Sequence, residues 1–298
     1  MTYVNTLKPL GTLGRVARAV LRRISTRTIR LFEDYNTLDA ALDEADAVIM
    51  FDYKGMSRLA RHIDNVVPRA RKIAWYWNSL AQAGRADLPD GWETWTFDPA
   101  DARRTGMRYG GQFYFHALIP SVFAPDATKS TPAHTPGTEA VGNLHPDVCF
   151  IGRNKGRFHL LKRLEDKLHA AGLSTDFRRV GPWPGQAPAI PYSSYIAVQA
   201  SSHAVLEILA DGQAGLSLRT LEAMALGCKL LTTNNAITSW SLYDPSRILV
   251  VDAHTSPEAF RDFLSTDGLP VDLSDFTFDA WLARILDGCE ADDFSSLH

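Results

Sequence analysis

The sequence has few of the features that mark secreted, metal-binding or membrane-spanning proteins. Its three cysteines, Cys149, Cys228 and Cys289, form no C-x-x-C pair, and their odd number does not suit a disulfide framework. No run reaches the ~18 apolar residues that a membrane-spanning helix needs, and the first residues lack the apolar stretch of a secretion signal. We therefore expect a protein of a reduced, cytoplasmic compartment.

Further absences narrow the function. Neither a G-x-G-x-x-G fingerprint nor a Walker A loop occurs in the 298 residues, so neither a dinucleotide-binding fold nor a P-loop NTPase is supported. The net charge of −3 argues against a general nucleic-acid binder. The apolar content of 45% and the charged content of 22% are those of an ordinary globular protein of one or two domains.

Acidic residues are absent from residues 1–32, which carry seven lysines and arginines. Between Leu13 and Ile24, apolar residues recur at helical spacing, with arginines on the opposite face. Residues 8–30 therefore fit a basic helix that lies on an anionic membrane surface. An ordinary helix with its apolar face in the core and its arginines in water fits them as well.

Strand and helix patterns alternate in two regions, which predicts an α/β protein with two doubly wound, Rossmann-like sheets. In the first region, the predicted strands are residues 47–51, 72–77, 94–97 and 112–115. In the second region, they are residues 147–151, 176–180, 204–209, 229–233 and 248–252. Helices are predicted at residues 56–65, 157–171, 218–226 and 278–286.

The stretch between the two regions contains five prolines from Pro120 to Pro146, which is typical of a linker or a long surface loop. We therefore expect a first domain at residues 1–135 and a second domain at residues 136–265. Residues 266–298 remain for a C-terminal helix and a frayed acidic tail.

Two loops of the second region lie where ligands bind in open α/β sheets, beyond the carboxyl ends of strands. Residues 152–157 (GRNKGR) combine backbone N–H groups at a helix start with Arg153 and Lys155, which suits a pyrophosphate. Residues 211–217 precede a helix on which Arg219 and Glu222 share one face. A solvated basic turn is the alternative for the first loop. For the second loop, taken alone, a simple Arg219–Glu222 pair on the helix surface is the favoured explanation.

Residues 215–227 (GLSLRTLEAMALG) resemble the S-x-R-x-x-E-A-x-A-x-G signature of GT-B glycosyltransferases, notably those of lipopolysaccharide and capsule gene clusters. The same proteins are resembled by KLLTTN at 229–234, YDP at 243–245, ILVVD at 248–252 and FIGRNKGR at 150–157. The resemblance covers residues 145–265 well. In the first half it rests on WTFDPAD at 95–101 and on Tyr114.

The resemblance implies two Rossmann-like domains that face a cleft. A nucleotide-sugar donor would bind the second domain, and a glycan or lipid-linked acceptor would bind the first. Glu222 would hold the ribose, while Arg153 and Lys155 would offset the charge of the departing diphosphate. The other donor-site residues that it implies are Gly152, Gln213, Ser217, Arg219, Thr220, Thr233 and Asn234. It implies no metal and no cofactor beyond the nucleotide-sugar co-substrate, and the sequence has no D-x-D motif.

The sequence departs from this family at two places. Retaining members often carry a second glutamate eight positions before the ribose residue, where this chain has Ala214. The stereochemistry of transfer therefore stays open. The first half is also short and lacks the usual apolar first strand with its glycine-rich turn, so the acceptor domain is trimmed or divergent.

An inverting transfer needs a general base on a loop of the first domain. Asp52 follows the predicted strand 47–51 and is our candidate, with a turn or cap role as the alternative. Asp98 is better explained as a helix cap. A lone histidine such as His116 or His203 is more often structural.

Aromatic residues offer a second type of contact with sugars. Trp75, Tyr76 and Trp77 end a predicted strand and could stack on a sugar ring, although core packing is the simpler explanation. Trp183 lies in a loop and could flank the nucleobase. By analogy with GT-B proteins, we expect the helix at 278–286 to pack back on the first domain.

Together these features favour a metal-independent glycosyltransferase of surface polysaccharide synthesis in the cytoplasm, with residues 8–30 as the candidate contact to the inner membrane. A catalytically silent GT-B-like protein that binds a glycan or a nucleotide is the first alternative. A nucleotide-sugar epimerase is the second. It would need an N-terminal glycine fingerprint and a Tyr-x-x-x-Lys pair, and neither is apparent in the sequence.

Overall fold

The computed structural model describes residues 36–43, 45–53, 55–119, 145–153, 156–181, 185–209 and 212–291. The chain divides into two compact units. The first is Met1–Phe97 with Asp101–Tyr109, and the second is Asp98–Ala100 with Gly110–His298. The boundary expected between residues 135 and 136 and the basic segment 8–30 both lie outside the described residues.

The first unit contains a four-stranded parallel sheet whose strands lie in chain order. Its strands are β1 Ala47–Phe51, β2 Arg71–Tyr76, β3 Trp92–Thr96 and β4 Arg108–Tyr109. The helices around them are α1 Asn36–Leu42, α2 Met56–Val66, α3 Leu80–Ala83 and α4 Pro99–Thr105. Strand β2 lies between two neighbours and is buried along almost its whole length, as expected of an inner strand in a parallel sheet.

Helix α2 covers the first sheet with one apolar face. Its buried residues recur at helical spacing and are Met56, Leu59, Ala60 and Ile63. They form one core cluster with Met50 of β1 and with Ala74 and Tyr76 of β2. This packing places the start of α2 next to the carboxyl ends of β1 and β2.

The second unit contains a five-stranded parallel sheet in the order β6-β5-β7-β8-β9. Its strands are β5 Val148–Gly152, β6 Thr175–Arg179, β7 Ala204–Glu207, β8 Lys229–Thr232 and β9 Ile248–Val250. Its helices are α5 Phe158–Ala170, α6 Tyr192–Ala200, α7 Leu218–Ala225, α8 Pro257–Ser265 and α9 Phe278–Asp287. The strand order changes direction at β5, because β6 and β7 pair on either side of it. The carboxyl ends of β5 and β7 therefore flank a topological switch point.

The two parallel sheets with alternating helices confirm the predicted α/β class and fit a GT-B fold. The predicted strand at 112–115 is wrong, since the fourth strand of the first sheet is β4 and the later segment makes one bridge, from Tyr114 to Thr277. Phe113 in this segment is fully buried, and its ring centroid lies 4.4 Å from that of Trp281. Phe113 and Phe115 thus pack on α9 and do not belong to a strand of a sheet.

Helix α9 occupies the range predicted for the last helix, with one added residue. Helix α9 contacts residues 113–115. The sequence analysis places these residues in the first domain (1–135), whereas the structure places them in the second unit, together with α9. None of the helices within the described residues is long and apolar enough to cross a bilayer.

We expect Trp281→Ala to lower the free energy of unfolding of the second unit by about 3 to 5 kcal/mol, because the large side chain is fully buried and its removal leaves a cavity. Urea denaturation followed by circular dichroism measures the change. Leu286→Ala on the same helix is the control, since that side chain is 43% exposed, and it should cost well under half as much. Equal losses in the two variants would contradict docking of α9 through Trp281.

Candidate functional site

The carboxyl edge of the second sheet gathers most of the predicted donor-site residues. Gly152 ends β5, Ser217 directly precedes α7, and Thr233 and Asn234 follow β8. Because β5, β7 and β8 are neighbours in the sheet, these positions lie at one edge, beside the switch point. The structure therefore assembles one candidate site from loops that are far apart in the sequence.

A buried carboxylate that the sequence analysis did not select organises this edge. Glu207 ends β7 and is 1% exposed. It accepts hydrogen bonds from three hydroxyl groups, those of Ser217, Thr220 at 3.0 Å and Thr232 at 2.6 Å. Ser217 Oγ in turn accepts from the backbone N–H of Arg219 at 3.1 Å and so caps α7. These charge-assisted bonds tie β7, β8 and the start of α7 together.

Two guanidinium groups meet at the end of β5. Arg219 and Arg157 lie 5.3 Å and 5.9 Å from the centroid of the Phe150 ring. Arg219 donates to the carbonyl of Ile151 at 2.5 Å, and Arg157 donates to the carbonyl of Ile208. Burial lowers the pKa of Arg157 to about 10, and the nearby charge of Arg219 adds to this effect.

Neither guanidinium has a carboxylate within ion-pair distance in the part of the chain that the structure describes. Burial and the charge of Arg219 disfavour the charged form of Arg157, whereas Tyr195 and the charges of Glu207 and Glu222 raise the pKa of Arg219 in spite of its burial. An anion at this corner would stabilise the charged form of Arg157. A guanidinium can bind a phosphate with two parallel hydrogen bonds. The chemistry of this corner is therefore that of an anion site.

Of the two cations that were predicted from the loop 152–157, Lys155 lies outside the described residues, and Arg153 has an exposed side chain. The carbonyl of Arg153 accepts a 3.4 Å hydrogen bond from Arg157. Arg157 is thus the residue of this loop that the structure brings to Arg219.

Glu222, the residue implied to hold a ribose, is completely buried. Its Oε1 accepts from the Tyr192 hydroxyl at 2.6 Å, and its Oε2 accepts from Gln199 Nε2 at 3.3 Å. Burial raises the pKa of this carboxyl. Both partners lie on α6, a helix that the sequence analysis did not predict.

A stacked pair of tyrosines connects Glu222 to the arginine corner. The rings of Tyr192 and Tyr195 lie 6.0 Å apart, nearly parallel. Tyr195 accepts from Nε of Arg219 at 3.3 Å and also hydrogen-bonds to Glu222. The Tyr195 hydroxyl therefore bridges Arg219 and Glu222 by hydrogen bonds, in place of the direct ion pair that their helical spacing allows.

The loop before α7 is fixed through its backbone. Gln213 is partly buried there, and the N–H of Ala214 donates to Asp98 Oδ2 at 2.9 Å, a contact within the second unit. The other oxygen of Asp98 accepts from the N–H of Ala100 at the start of α4, as expected of a helix cap. Position 214 thus contributes a backbone N–H to the carboxylate of Asp98.

In the first unit, the candidate base Asp52 follows β1 and is partly buried. Its Oδ1 accepts from the N–H of Trp77 at 2.8 Å, and its Oδ2 accepts from Asn78 Nδ2 at 2.9 Å. Burial raises the pKa of this carboxyl in spite of these bonds. The backbone N–H group of Asn78 is a further donor, and together these donors orient the carboxylate.

The remaining sequence-based candidates divide by burial. Trp75 and Tyr76 are core residues at 0% and 1% exposure, whereas Trp77 is 39% exposed. Trp183 lies outside the described residues. Within the described ranges, no three His, Cys, Asp or Glu side chains come together as a metal site would require.

The buried carboxyl of Glu222 predicts a pH-dependent stability. A raised pKa in the folded state stabilises the protein fully below the unfolded value of 4.5, and this stabilisation is lost as the pH rises through the folded pKa. We expect Glu222→Gln to raise the Tm at pH 7, with a gain that shrinks toward pH 4.5. Gln199 can turn its amide so that Oε1, which has no partner among the described residues, accepts from the new amide.

Thermal unfolding across this pH range measures the effect. Asp262→Asn, at an exposed position of α8, is the control and should give a flat difference from the wild type. A Tm of Glu222→Gln that stays below the wild type at neutral pH would contradict the argument.

Neither a protein-family model nor a curated protein matches this sequence. Among solved structures, the chain is similar to AviGT4, a glycosyltransferase involved in avilamycin A biosynthesis, at 15% identity over 77% of each chain with a TM-score of 0.47. It is similar to the UDP-GlcNAc 2-epimerase of Methanocaldococcus jannaschii, solved with UDP-GlcNAc and UDP, at 10% identity over 85% of this chain and 79% of that chain, with a TM-score of 0.43. It is also similar to a DNA-modifying β-glucosyltransferase, solved with and without uridine diphosphoglucose, at 13% identity over 86% and 82%, with a TM-score of 0.44. The case for a function therefore lies in the residues of the site.

Proposed function

We propose that this protein is a glycosyltransferase that transfers a sugar from a nucleotide-sugar donor to a glycan or lipid-linked acceptor. The donor would bind at the carboxyl edge of the second sheet. The observation that carries this proposal is the corner at Phe150, where Arg157 and Arg219 lie without a carboxylate partner among the described residues. A nucleoside diphosphate brings the opposite charge to this corner.

The same two cations suit the chemistry of the leaving group. Negative charge develops on the diphosphate as the bond from the anomeric carbon to its oxygen breaks, and fixed positive groups stabilise that charge. Protein cations then do the work of a divalent metal, so the proposal requires no metal. Arg153, Gly152, Lys155 and Gln213 remain donor-site residues in this proposal, as the sequence resemblance implies.

Glu222 is proposed to bind the ribose. Its carboxylate accepts from Tyr192 and Gln199 in the structure, so it is already arranged to accept from two donors. Tyr192 is the first residue of α6. Ribose hydroxyls would replace its hydroxyl as the donor to Glu222. Ser217, Thr220, Thr233 and Asn234 would hold this edge in position around the nucleotide.

In an inverting transfer, Asp52 would accept the proton of the acceptor hydroxyl while the acceptor oxygen forms its bond to the anomeric carbon. Its raised pKa and fixed orientation suit a general base. We further propose a role in lipopolysaccharide or capsule synthesis at the cytoplasmic side of the membrane. This role rests on the sequence resemblance of residues 145–265.

A nucleotide screen tests the donor site. We expect one of UDP, GDP, CMP, TDP or ADP to raise the Tm of the wild type. Arg157→Met should weaken that nucleotide by about 10- to 100-fold, since a hydrogen bond to a charged group contributes about 1.5 to 3 kcal/mol. Affinity for the corresponding nucleoside, which lacks phosphates, should not change. Glu222→Gln should weaken the nucleotide and the nucleoside alike.

Arg163→Met is the matched control for charge. Arg163 is exposed on α5, the helix that Arg157 directly precedes, and the substitution removes the same charge. It should bind the nucleotide as the wild type does. A wild type that ignores all five nucleotides, or an equal loss in the two arginine variants, would refute the donor site.

Donor hydrolysis separates a transferase from a silent binder. Ala214, which stands where retaining relatives carry a glutamate, is the feature that favours a binder. We expect the protein, without acceptor, to release nucleoside diphosphate slowly from the matching nucleotide-sugar, measured by chromatography over hours. Binding of the nucleotide without any turnover would favour the silent binder instead.

A further inference from the structure

The first unit contains a cavity that the donor site does not use. It lies where β1 and β2 end and has a volume of about 390 Å³. Sites for small molecules have volumes of about 300 to 1,000 Å³, so the cavity is large enough for one small ligand. Its polar walls come from Asp52, Tyr53, Ser57, Tyr76, Asn78 and Arg85.

The cavity offers a fixed acceptor and a fixed donor. Asp52 presents a carboxylate that Trp77 and Asn78 hold in place. Tyr76 is 1% exposed, and its hydroxyl accepts from the N–H of Ala86 at 3.0 Å. The proton of this hydroxyl has no acceptor among the described residues, so a ligand in the cavity can supply one.

The charges of the described lining residues balance and so favour a neutral ligand. Asp52 and Arg85 carry opposite charges, while Ser57 and Asn78 offer neutral groups that donate and accept. A hydroxyl group also donates and accepts, so a neutral molecule with several hydroxyls matches this lining best.

Aromatic rings complete the match. Tyr53 and Tyr76 line the cavity. Next to Asp52, the 39% exposed Trp77 meets Phe51 edge to face at 5.4 Å between ring centroids. Aromatic surfaces of this kind can contact the apolar C–H face of a sugar ring, since they combine an apolar body with polar edges.

We propose that this cavity binds one ring of a neutral carbohydrate, with Asp52 accepting a hydrogen bond from one ring hydroxyl and Tyr76 donating to another ring oxygen. Identifying this ring as part of the acceptor in a transfer reaction rests on the proposed function. The binding itself does not depend on it.

The test measures binding of methyl glycosides of glucose, galactose and mannose to the full chain by saturation-transfer NMR. We expect at least one to bind the wild type in the tens-of-millimolar range or tighter. Asp52→Asn should weaken it tenfold or more, because the charged acceptor is lost. Ser57→Leu should abolish binding by filling the cavity, and the Tm of each variant confirms folding.

Asp46→Asn is the matched control. Asp46 is exposed and precedes β1, so it makes the same change of charge at the opposite end of the same strand. Binding by this variant should equal that of the wild type. Equal binding by all variants would place the sugar elsewhere and overturn the proposal. So would a preference for glucuronate or glucosamine, or no binding by any methyl glycoside.

The nucleotide screen on the same samples separates the two proposals. Nucleotide binding without sugar binding would overturn the cavity assignment alone. Sugar binding that Asp52→Asn weakens, in a protein that binds no nucleotide, would support the cavity and refute the proposed transfer.

Discussion

The buried carboxylate of Glu207 is the interaction on which the candidate donor site depends. A carboxylate at 1% exposure is costly unless donors surround it, and here three hydroxyls from two separate segments do so. Ser217 serves both this carboxylate and the capping of α7. Arg219 is the second residue of α7. Its position therefore depends on the hydrogen bond between Ser217 and Glu207, which holds the start of this helix. Loss of one hydroxyl would leave charge unsatisfied and free the helix start at the same time.

Around this fixed frame, two groups remain in unfavourable electrostatic surroundings. Arg157 lies near a like charge and has a lowered pKa, while Glu222 is completely buried and has a raised one. Tyr195 bridges Arg219 and Glu222, so the two disturbed groups belong to one network. Perturbed ionisable groups gather at functional sites because binding or catalysis makes use of their unmet interactions. A ligand with a diphosphate and vicinal hydroxyls would satisfy both ends of this network.

The sequence predicted the frame better than the site. Strands β5, β7, β8 and β9 are short, mostly apolar runs, and α7 has a clear apolar face with a serine cap, so local patterns predict them. Helix α6 was missed because Ile196 and Gln199 are its only residues that are buried in the described structure, which gives no periodic apolar face. Glu207 is not selected from the sequence because it stands inside the apolar run 204–209. The signal that could have revealed it is a single carboxylate in an otherwise apolar strand. The sequence places Arg157 at the end of the loop 152–157. Its proximity to Arg219 could not be predicted, because the two residues are distant in the sequence and meet only in the folded protein.

Four carboxylates near the carboxyl edges of the sheets can be sorted by what their oxygens contact. Those of Glu207 are bound by protein hydroxyls, and those of Glu222 by a tyrosine and a glutamine. Asp98 is fully buried and accepts from backbone N–H groups through both oxygens. Asp52 lines the cavity of the first unit, while donors hold it in one orientation. Since different surroundings give chemically equal groups different tasks, these contacts favour Asp52 as the proton acceptor in the proposed reaction, while the oxygens of the other three are held by protein donors.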